Sequence, residues 1–545
     1  MLTYGENNIL KRYFYFIAVG FVLLVCLNLY NQKGFQLQLS RTQAIEQGYK
    51  LDQKHNEYQP LAFIFPQPGV IGYDVAHRFV WQHDRDMYDQ LIQEGYLQQP
   101  HWVVRKASFE GDVEKRSSEA HIHLNNDGTL HHKQYIVPQS EAGVSLQEAD
   151  VIKKAYQALA ETFGFKQNDV EKVSVVPTKQ PARTDWEIHF RVLNGIQLKD
   201  AQLRVVVTVA GDEVTLVRKY VHVPEVWQRT ELAYLTMLNM IKMIMQLLFY
   251  ILIFVGIFYA SSGIRLYQYN VKRISFLFCG LFIMVMSAII NLSPLTFASF
   301  QTAMDWMMQL QINLMAQSVS VLMSSMLIAV AFIVVLKKRF EHEKLVHFYD
   351  ILNSYGFGAL LGFFIFFLKM FILKYIPQWQ LYSYSDTLIL INSYSPLLLI
   401  ISSQISHFFK VILGAIALKY LYDRILQLNS LVRVSLISIG LVAISFIVSS
   451  SSVNIYESIS LFIALLVPFL ISLMSRTFHP VFNNPEIIRS RRSLMAYVIG
   501  AYSAYAYVPL LFFNPFPTAS YGFAVVIIVL FLIAAYFPLE NEEVA

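Results

Sequence analysis

Apolar residues follow two patterns in this chain. Long, nearly unbroken runs occupy residues 13–30, 235–262, 274–293, 317–336, 355–376, 388–409, 432–452, 458–475, 494–513 and 521–538. A helix that crosses a bilayer needs roughly 20 mostly apolar residues, so hydropathy alone predicts about ten spans. The stretch 388–422 is the least regular of them. Pro396 interrupts it, and Lys419, Asp423 and Arg424 beyond it suit a helix lying in the membrane interface. Between the first and second runs, residues 31–234 have short alternating segments and turn signals, as in an ordinary water-soluble protein. The predicted fold class is therefore a multi-pass α-helical membrane protein of about ten spans with an inserted soluble α+β domain.

Within that domain, residues 74–97 carry helical spacing and are stopped by Gly95 and Pro100. His101–Arg105 and Glu119–Leu124 then alternate as strands. Asn126-Asp127-Gly128 marks a hairpin turn. Ser145, with Glu148 three residues later, predicts a capped helix whose apolar stripe is Ala149, Ile152, Ala155, Tyr156 and Leu159. Strand patterns return from Trp186, over Gln202–Val209 and over Val214–Val223, with Gly211-Asp212 as the turn. Trp102 and Trp186 lie 84 residues apart, and Pro138 and Pro224 lie 86 apart. These spacings predict a duplicated helix-plus-antiparallel-strand unit, with repeats at about 74–140 and 145–226.

Composition supports the division. Over the whole chain 55% of residues are hydrophobic and 15% are charged, against about 25% charged in soluble domains. Mean hydropathy is +0.42. The formal charge of +5 is small, and the basic residues sit in short clusters beside apolar runs, which excludes a nucleic-acid surface as the expected partner. Their distribution predicts topology. Lys11 and Arg12 place the N-terminus in the cytoplasm, so residues 31–234 fall outside. The clusters around Lys272, Lys337 and Arg491 fall inside, and the loops at 294–316 and 377–387, each with one acid, fall outside. The domain division is then an anchor at 1–30, an extracytoplasmic domain at 31–234, a helical bundle at 235–539 and an acidic cytoplasmic tail at 540–545. The expected location is the cell membrane, with the bilayer as a partner. Cys26 and Cys279 both lie in apolar runs, so no disulfide framework is available to the soluble segment.

Three groups of residues invite chemistry. In the first hairpin, a two-residue Asp127-Gly128 turn places His123 opposite His132, with His121 on the same face. Three imidazoles suit zinc or copper, and equally a solvated, weakly basic face. His407 and Lys410 are three apart in an apolar run and share a helix face. They mark either a polar intramembrane site or a snorkelling helix end. Glu341, His342, Glu343 and His347 miss the spacing of a two-histidine zinc helix by one residue. Ser449–Ser452 is a small-residue run suited to close helix packing. No phosphate-binding loop or nucleophile elbow is visible.

The strings Ala201-Gln-Leu-Arg-Val-Val-Val-Thr-Val-Ala-Gly-Asp-Glu-Val214 and Arg218-Lys-Tyr-Val-His-Val-Pro-Glu-Val-Trp-Gln-Arg229 resemble a bacterial subgroup of the CPBP (CAAX protease and bacteriocin-processing) intramembrane metalloproteases. Pro181–Trp186 and Trp102–Arg105 fit the same subgroup, and the resemblance covers roughly residues 73–229. It implies a large domain preceding a catalytic helix bundle, with a Glu-Glu-x-x-x-Arg motif and later histidines that activate water through a metal or a general base. The best placement of that motif puts Ile405 and Ser406 at the glutamate positions and Lys410 at the arginine. Phe446 and Ser450 fall where phenylalanine and histidine are usual. The expectation is a non-catalytic relative that needs no cofactor, with the outer domain binding a protein or peptide. Two alternatives stay open. One is a working intramembrane protease, which would need zinc. The other is a small-molecule or ion carrier, suggested by the many spans and by Lys369, Lys374 and Lys410.

Overall fold

The computed structural model describes residues 38–65 apart from 56, 75–110, 112, 118–261, 271–339, 348–375 and 391–402 apart from 400. Its centre is one antiparallel sheet of eight strands: β1 (Gln59–Phe65), β2 (His101–Ala107), β3 (Glu119–Leu124), β4 (Leu130–Ile136), β5 (Val170–Lys179), β6 (Thr184–Val192), β7 (Gln202–Ala210) and β8 (Glu213–His222). The order across the sheet is β1-β2-β3-β4-β8-β7-β6-β5. Two four-stranded meanders thus meet edge to edge, and their joint is the single Gln134–Leu216 pairing.

A helix precedes each meander. The first, α1 (Arg41–Leu51), opens on a capping box between Ser40 and Gln43. It buries Ala44 against Ala62, Ile64, Trp102, Val104, Ile122 and Leu124. Two lysines from the sheet meet its C-terminal end. Lys106 donates to the Asp52 carbonyl at 2.5 Å and Lys133 to the Leu51 carbonyl at 2.6 Å. Cations are favoured at that end of a helix dipole. The helices α2 (Val75–His83) and α3 (Tyr88–Gln93) are inserted between β1 and β2. The second meander is preceded by α4 (Glu148–Phe163), which packs Val151, Ala155 and Leu159 on Ile188, Phe190, Val205 and Val207. Side chains alternate along each strand. Followed through the Gln134–Leu216 joint, this places α1 and α4 on one face of the sheet. The opposite face carries His101, His121, His123, His189, Arg204, Arg218 and Tyr220.

Five more helices follow: α5 (Glu225–Ser261), α6 (Val271–Asn291), the short α7 (Ser293–Ala298), α8 (Trp306–Arg339) and α9 (Phe348–Tyr375). The first turns of α5 are tied to the sheet domain. Trp227 packs edge-on to Phe79, and Arg78 pairs with Glu231 at 2.7 Å.

Several sequence expectations are corrected here. The ten-span architecture is overturned: among the described residues two helical stretches, Ile274–Asn291 and Trp306–Val330, are long and apolar enough to cross a membrane. Among the described residues the largest folded unit is the eight-stranded sheet. The described part of the 388–409 run is not one helix: it is interrupted at residues 393–395, where Asn392 bonds the β1 edge and Ser395 bonds Asn291, polar ties that hydropathy does not register. The predicted runs at 13–30, 432–452, 458–475, 494–513 and 521–538 lie outside the described residues.

The loop expected at 294–316 is shorter than predicted. α8 starts at Trp306, where the Asp305 side chain accepts from the Met308 amide at 3.0 Å. Gln309, Gln311 and Asn313 hid this first part of the helix from a hydropathy reading. The two units of a helix followed by antiparallel strands share one sheet, and the first begins with α1 and not with the 74–97 segment. That segment is broken into α2, a 3-10 turn at Arg85–Met87, and α3. The helix α4 is preceded by Gln147 and lacks a side-chain cap, so Ser145 does not open it. Its buried stripe runs through Val151 and Ala158, while Ala149 is exposed.

Candidate functional site

The face of β2, β3 and β4 away from α1 gathers the ionisable groups. Val103 pairs with His123 and Arg105 with His121, which brings these side chains and His101 to one side. On β4 the register carries one extra residue. Leu124 pairs with Leu130, while the next residue back, His123, pairs with His132. The bulged residue is His131. Adjacent strand residues normally point to opposite faces, and a bulge re-aims one of them. His131 and His132 consequently touch, with their Nδ1 atoms 2.6 Å apart.

The result is a cluster of four imidazoles. His101 Nε2 lies 2.8 Å from His123 Nδ1, and His101 Nδ1 lies 2.7 Å from the Gln99 carbonyl. The rings of His123 and His132 stack with centroids 3.9 Å apart and planes 19° apart. His131 stacks over His101 at 5.6 Å, and Phe65 sets its edge against both His101 and His123. His101, His123 and His132 are buried. Burial comes first in holding all four imidazoles neutral: it lowers His101 to about 3, His131 to about 4 and His132 to about 2, and drives His123 well down. The other histidines, with Arg218 beside His131 and His132, push the same way.

The far end of the same face is a charged clamp. Arg105 holds Glu119 through two bonds of 2.7 and 2.9 Å, and His121 Nε2 sits 3.1 Å from the same carboxylate. Thr302 donates to Glu119 at 3.2 Å. Arg105 Nη1 reaches the Ala298 carbonyl at 3.1 Å. Burial pushes the Glu119 carboxyl up, but the bonds from His121 and Arg105 outweigh it and hold the group at about 2. The segment joining α6 to α8 is thereby fixed to the sheet.

A second tie lies at the sheet edge. The Asn392 side chain accepts from the Ile64 amide at 2.6 Å, and its Nδ2 lies 3.4 Å from the Ile64 carbonyl. It occupies the place of a neighbouring strand and covers that part of the β1 edge. Arg41 donates to the Asn392 carbonyl at 2.8 Å. Asn291, at the end of α6, brackets Ser395 with bonds of 2.6 and 2.7 Å.

The sequence-derived trio of His121, His123 and His132 is separated. His123 and His132 do pair, but across a three-residue loop and the His131 bulge and not the two-residue Asp127-Gly128 turn expected, and His121 turns to Glu119. Among the described residues no group of three or more His, Cys, Asp or Glu side chains is arranged to hold a metal ion. The stacked rings of His123 and His132 send their nitrogens side by side and not toward one point. His101 and His131 were missed from sequence. His101 opens a strand whose pairing partner is distant in sequence, and His131 depends on the bulge. His407, Lys410 and the Glu341–His347 group lie outside the described residues, as do Ile405, Ser406 and Ser449–Ser452. Compared with known protein families, with curated proteins and with solved structures, the chain matches none.

Proposed function

We propose that this chain is a membrane-embedded binding protein without proteolytic activity of its own, whose sheet domain lies outside the cytoplasm and recognises a protein or peptide. The observation that carries the reading is the clamp. Arg105 and Glu119, both buried, direct their remaining hydrogen bonds to Phe297–Thr302, the connection between the two most membrane-like helices. A domain fastened in this way moves with the helices, so a partner bound to the sheet bears on α6 and α8. The membrane placement is supported by Phe276, Ile283, Met315, Met323 and Leu327, large apolar side chains that no other part of the described structure covers. Leaving such side chains in water forgoes about 1.5–3 kcal/mol each, which lipid contact restores. The non-catalytic reading is supported by Ile405 and Ser406 standing where the resembled proteases place their glutamates.

The test uses the full chain lacking Cys26 and Cys279 and carrying Val144→Cys, at an exposed position of the sheet domain. We expect it to stay in the membrane pellet through alkaline extraction and to react with a membrane-impermeant maleimide on intact cells. Recovery in the soluble fraction overturns the membrane reading, and labelling only after lysis overturns the orientation. Zinc-dependent peptide hydrolysis by the purified chain, abolished by His407→Ala, overturns the non-catalytic reading.

A further inference from the structure

We infer that the face of β7 and β8 away from α4 binds an acidic segment of a partner protein, with Arg204 and Arg218 taking its carboxylates. The inference rests on the recognition role proposed above and names the chemistry of what is recognised. Strand alternation sets the face. Val205 and Val207 pack under α4 with Ile188 and Phe190, so Arg204, Val206, His189 and Arg191 point the other way. Across β8, Arg204 stands opposite Tyr220 and Val206 opposite Arg218. The two arginines are thus diagonal neighbours, a separation that long side chains bridge.

Among the described residues no carboxylate pairs with either arginine. Arg204 donates through Nε and Nη2, at 3.1 and 2.7 Å, to Gln202 Oε1, a neutral acceptor. Arg218 meets no acceptor, and its Nε is buried. The acids that share the face are already taken: Glu171 by Arg191 at 2.6 Å, Glu187 by His189 Nε2 at 2.9 Å and Asp185 by Arg183 at 2.7 Å. Arg191 and Arg204 also face each other directly across β6 and β7, and like charges so placed are unfavourable. A face that gathers arginines and leaves two of them unpaired is complementary to an anionic partner. The planar fork of each guanidinium matches the two oxygens of a carboxylate.

The occupant is assigned from position and spacing. The β1 edge and the β2–β3 face are tied to the helices, whereas β7 lies five strand spacings from β1, about 24 Å. That position suits a soluble acidic segment better than a lipid headgroup. An extended segment laid along β7 presents alternate side chains to the face. Acidic residues two apart in such a segment meet both arginines.

The experiment measures, by fluorescence anisotropy, the binding of a labelled peptide to the full-length protein in detergent. The peptide is as long as β7 and alternates Glu with Ser; a Gln–Ser peptide of equal length is the control. We expect saturable binding of the first that weakens as salt is raised, and none of the second. Arg204→Gln and Arg218→Gln should each weaken binding roughly tenfold, as the loss of a hydrogen bond to a charged group does. Arg204→Lys should weaken it nearly as much, since lysine lacks the fork. Lys153→Gln, at an exposed position of α4 across the sheet, should leave binding unchanged. Arg218→Gln removes no hydrogen bond and should keep the wild-type unfolding midpoint. Equal binding of the two peptides, or undiminished binding by folded Arg204→Gln and Arg218→Gln variants, overturns the inference. Displacement of the peptide by equimolar inorganic phosphate overturns it in favour of a small anion. Loss of peptide binding in proteoliposomes of anionic but not neutral lipid overturns it in favour of headgroups. The detergent measurement does not depend on which side of the membrane the domain occupies, so its failure is distinct from failure of the extraction and maleimide tests.

Discussion

At the scale of single residues, the face of the sheet away from α1 and α4 carries two kinds of ionisable group with opposite consequences. Glu119 is held ionised by Arg105 and His121 down to about pH 2. Its contribution is present above the ordinary carboxylate pKa and lost only as the pH falls toward that value. Glu119→Gln leaves the buried Arg105 guanidinium without a countercharge. Breaking a buried pair costs about 3–5 kcal/mol, so we expect a large fall in the thermal midpoint of the purified chain in detergent; a midpoint within a degree or two of wild type would show that the clamp is not under load.

The four clustered histidines behave in the opposite way. Their folded-state pKa values lie below the unfolded value of about 6.5. Below that pH the unfolded chain binds more protons than the folded one, so stability is complete above it and falls as the solution is acidified. The limiting slope is about 1.4 kcal/mol per pH unit for each buried imidazole that must stay neutral. The groups that bear on the cluster are His121 and Arg218 on its own face and Lys219 from the face of α4, and none of these supplies an anion that would offset the protons. Denaturant midpoints measured at pH 7, 6 and 5 should fall steadily in wild type and less steeply once His123 and His132 are both replaced by Gln. Equal slopes in the two proteins would show that the cluster does not govern acid stability.

At the scale of elements, the contact between α1 and the sheet depends on a missing side chain. A Cβ on Gly48 would lie 2.7 Å from Val104 Cγ1 and 2.9 Å from its Cβ. Val104 is a fully buried, β-branched residue on an internal strand and has nowhere to move. Gly48→Ala gains about 0.5–1 kcal/mol of helix propensity, but overpacking costs about 1–3 kcal/mol. We expect a net loss of about 1–2 kcal/mol, measured as a shift in the unfolding midpoint. An unchanged or raised midpoint would mean that α1 rides further from the sheet.

The bulge on β4 is the other element-scale device. Without it His131 would point toward α1, and the imidazole cluster would lose one member.

At the scale of the whole molecule, the ties among the described residues that join the sheet domain to the helices include Arg78 with Glu231, Arg105 and Glu119 with the 297–302 connection, and Asn392 with the β1 edge. Only the first lies near the covalent junction. The other two are made by residues far apart in the chain, and they fix how the domain sits on α6–α8.

The sequence by itself determined β2–β4 and β6–β8, because alternation and the Asp127-Gly128 and Gly211-Asp212 turn signals are local and set by backbone geometry. It also placed His123 opposite His132, but through a two-residue Asp127-Gly128 turn; the loop has three residues, 126–128, and the bulge at His131 restores the pairing. What it could not determine was whatever depends on partners remote in sequence. The edge strands β1 and β5 carry weak local patterns, and β1 is specified by β2 and by Asn392, over 300 residues away. Among the described residues the membrane helices were overcounted, because hydropathy does not register polar ties such as those of Asn392 and Ser395, which interrupt the 388–409 run. The capping of α4 was misread because Ser145 lies outside the helix it was expected to open. The imidazole cluster was decided by tertiary structure alone. A one-residue bulge turned His131, strand pairing brought in His101, and burial under Phe65 made neutral a group of side chains that, read one by one, look like an ordinary solvated face.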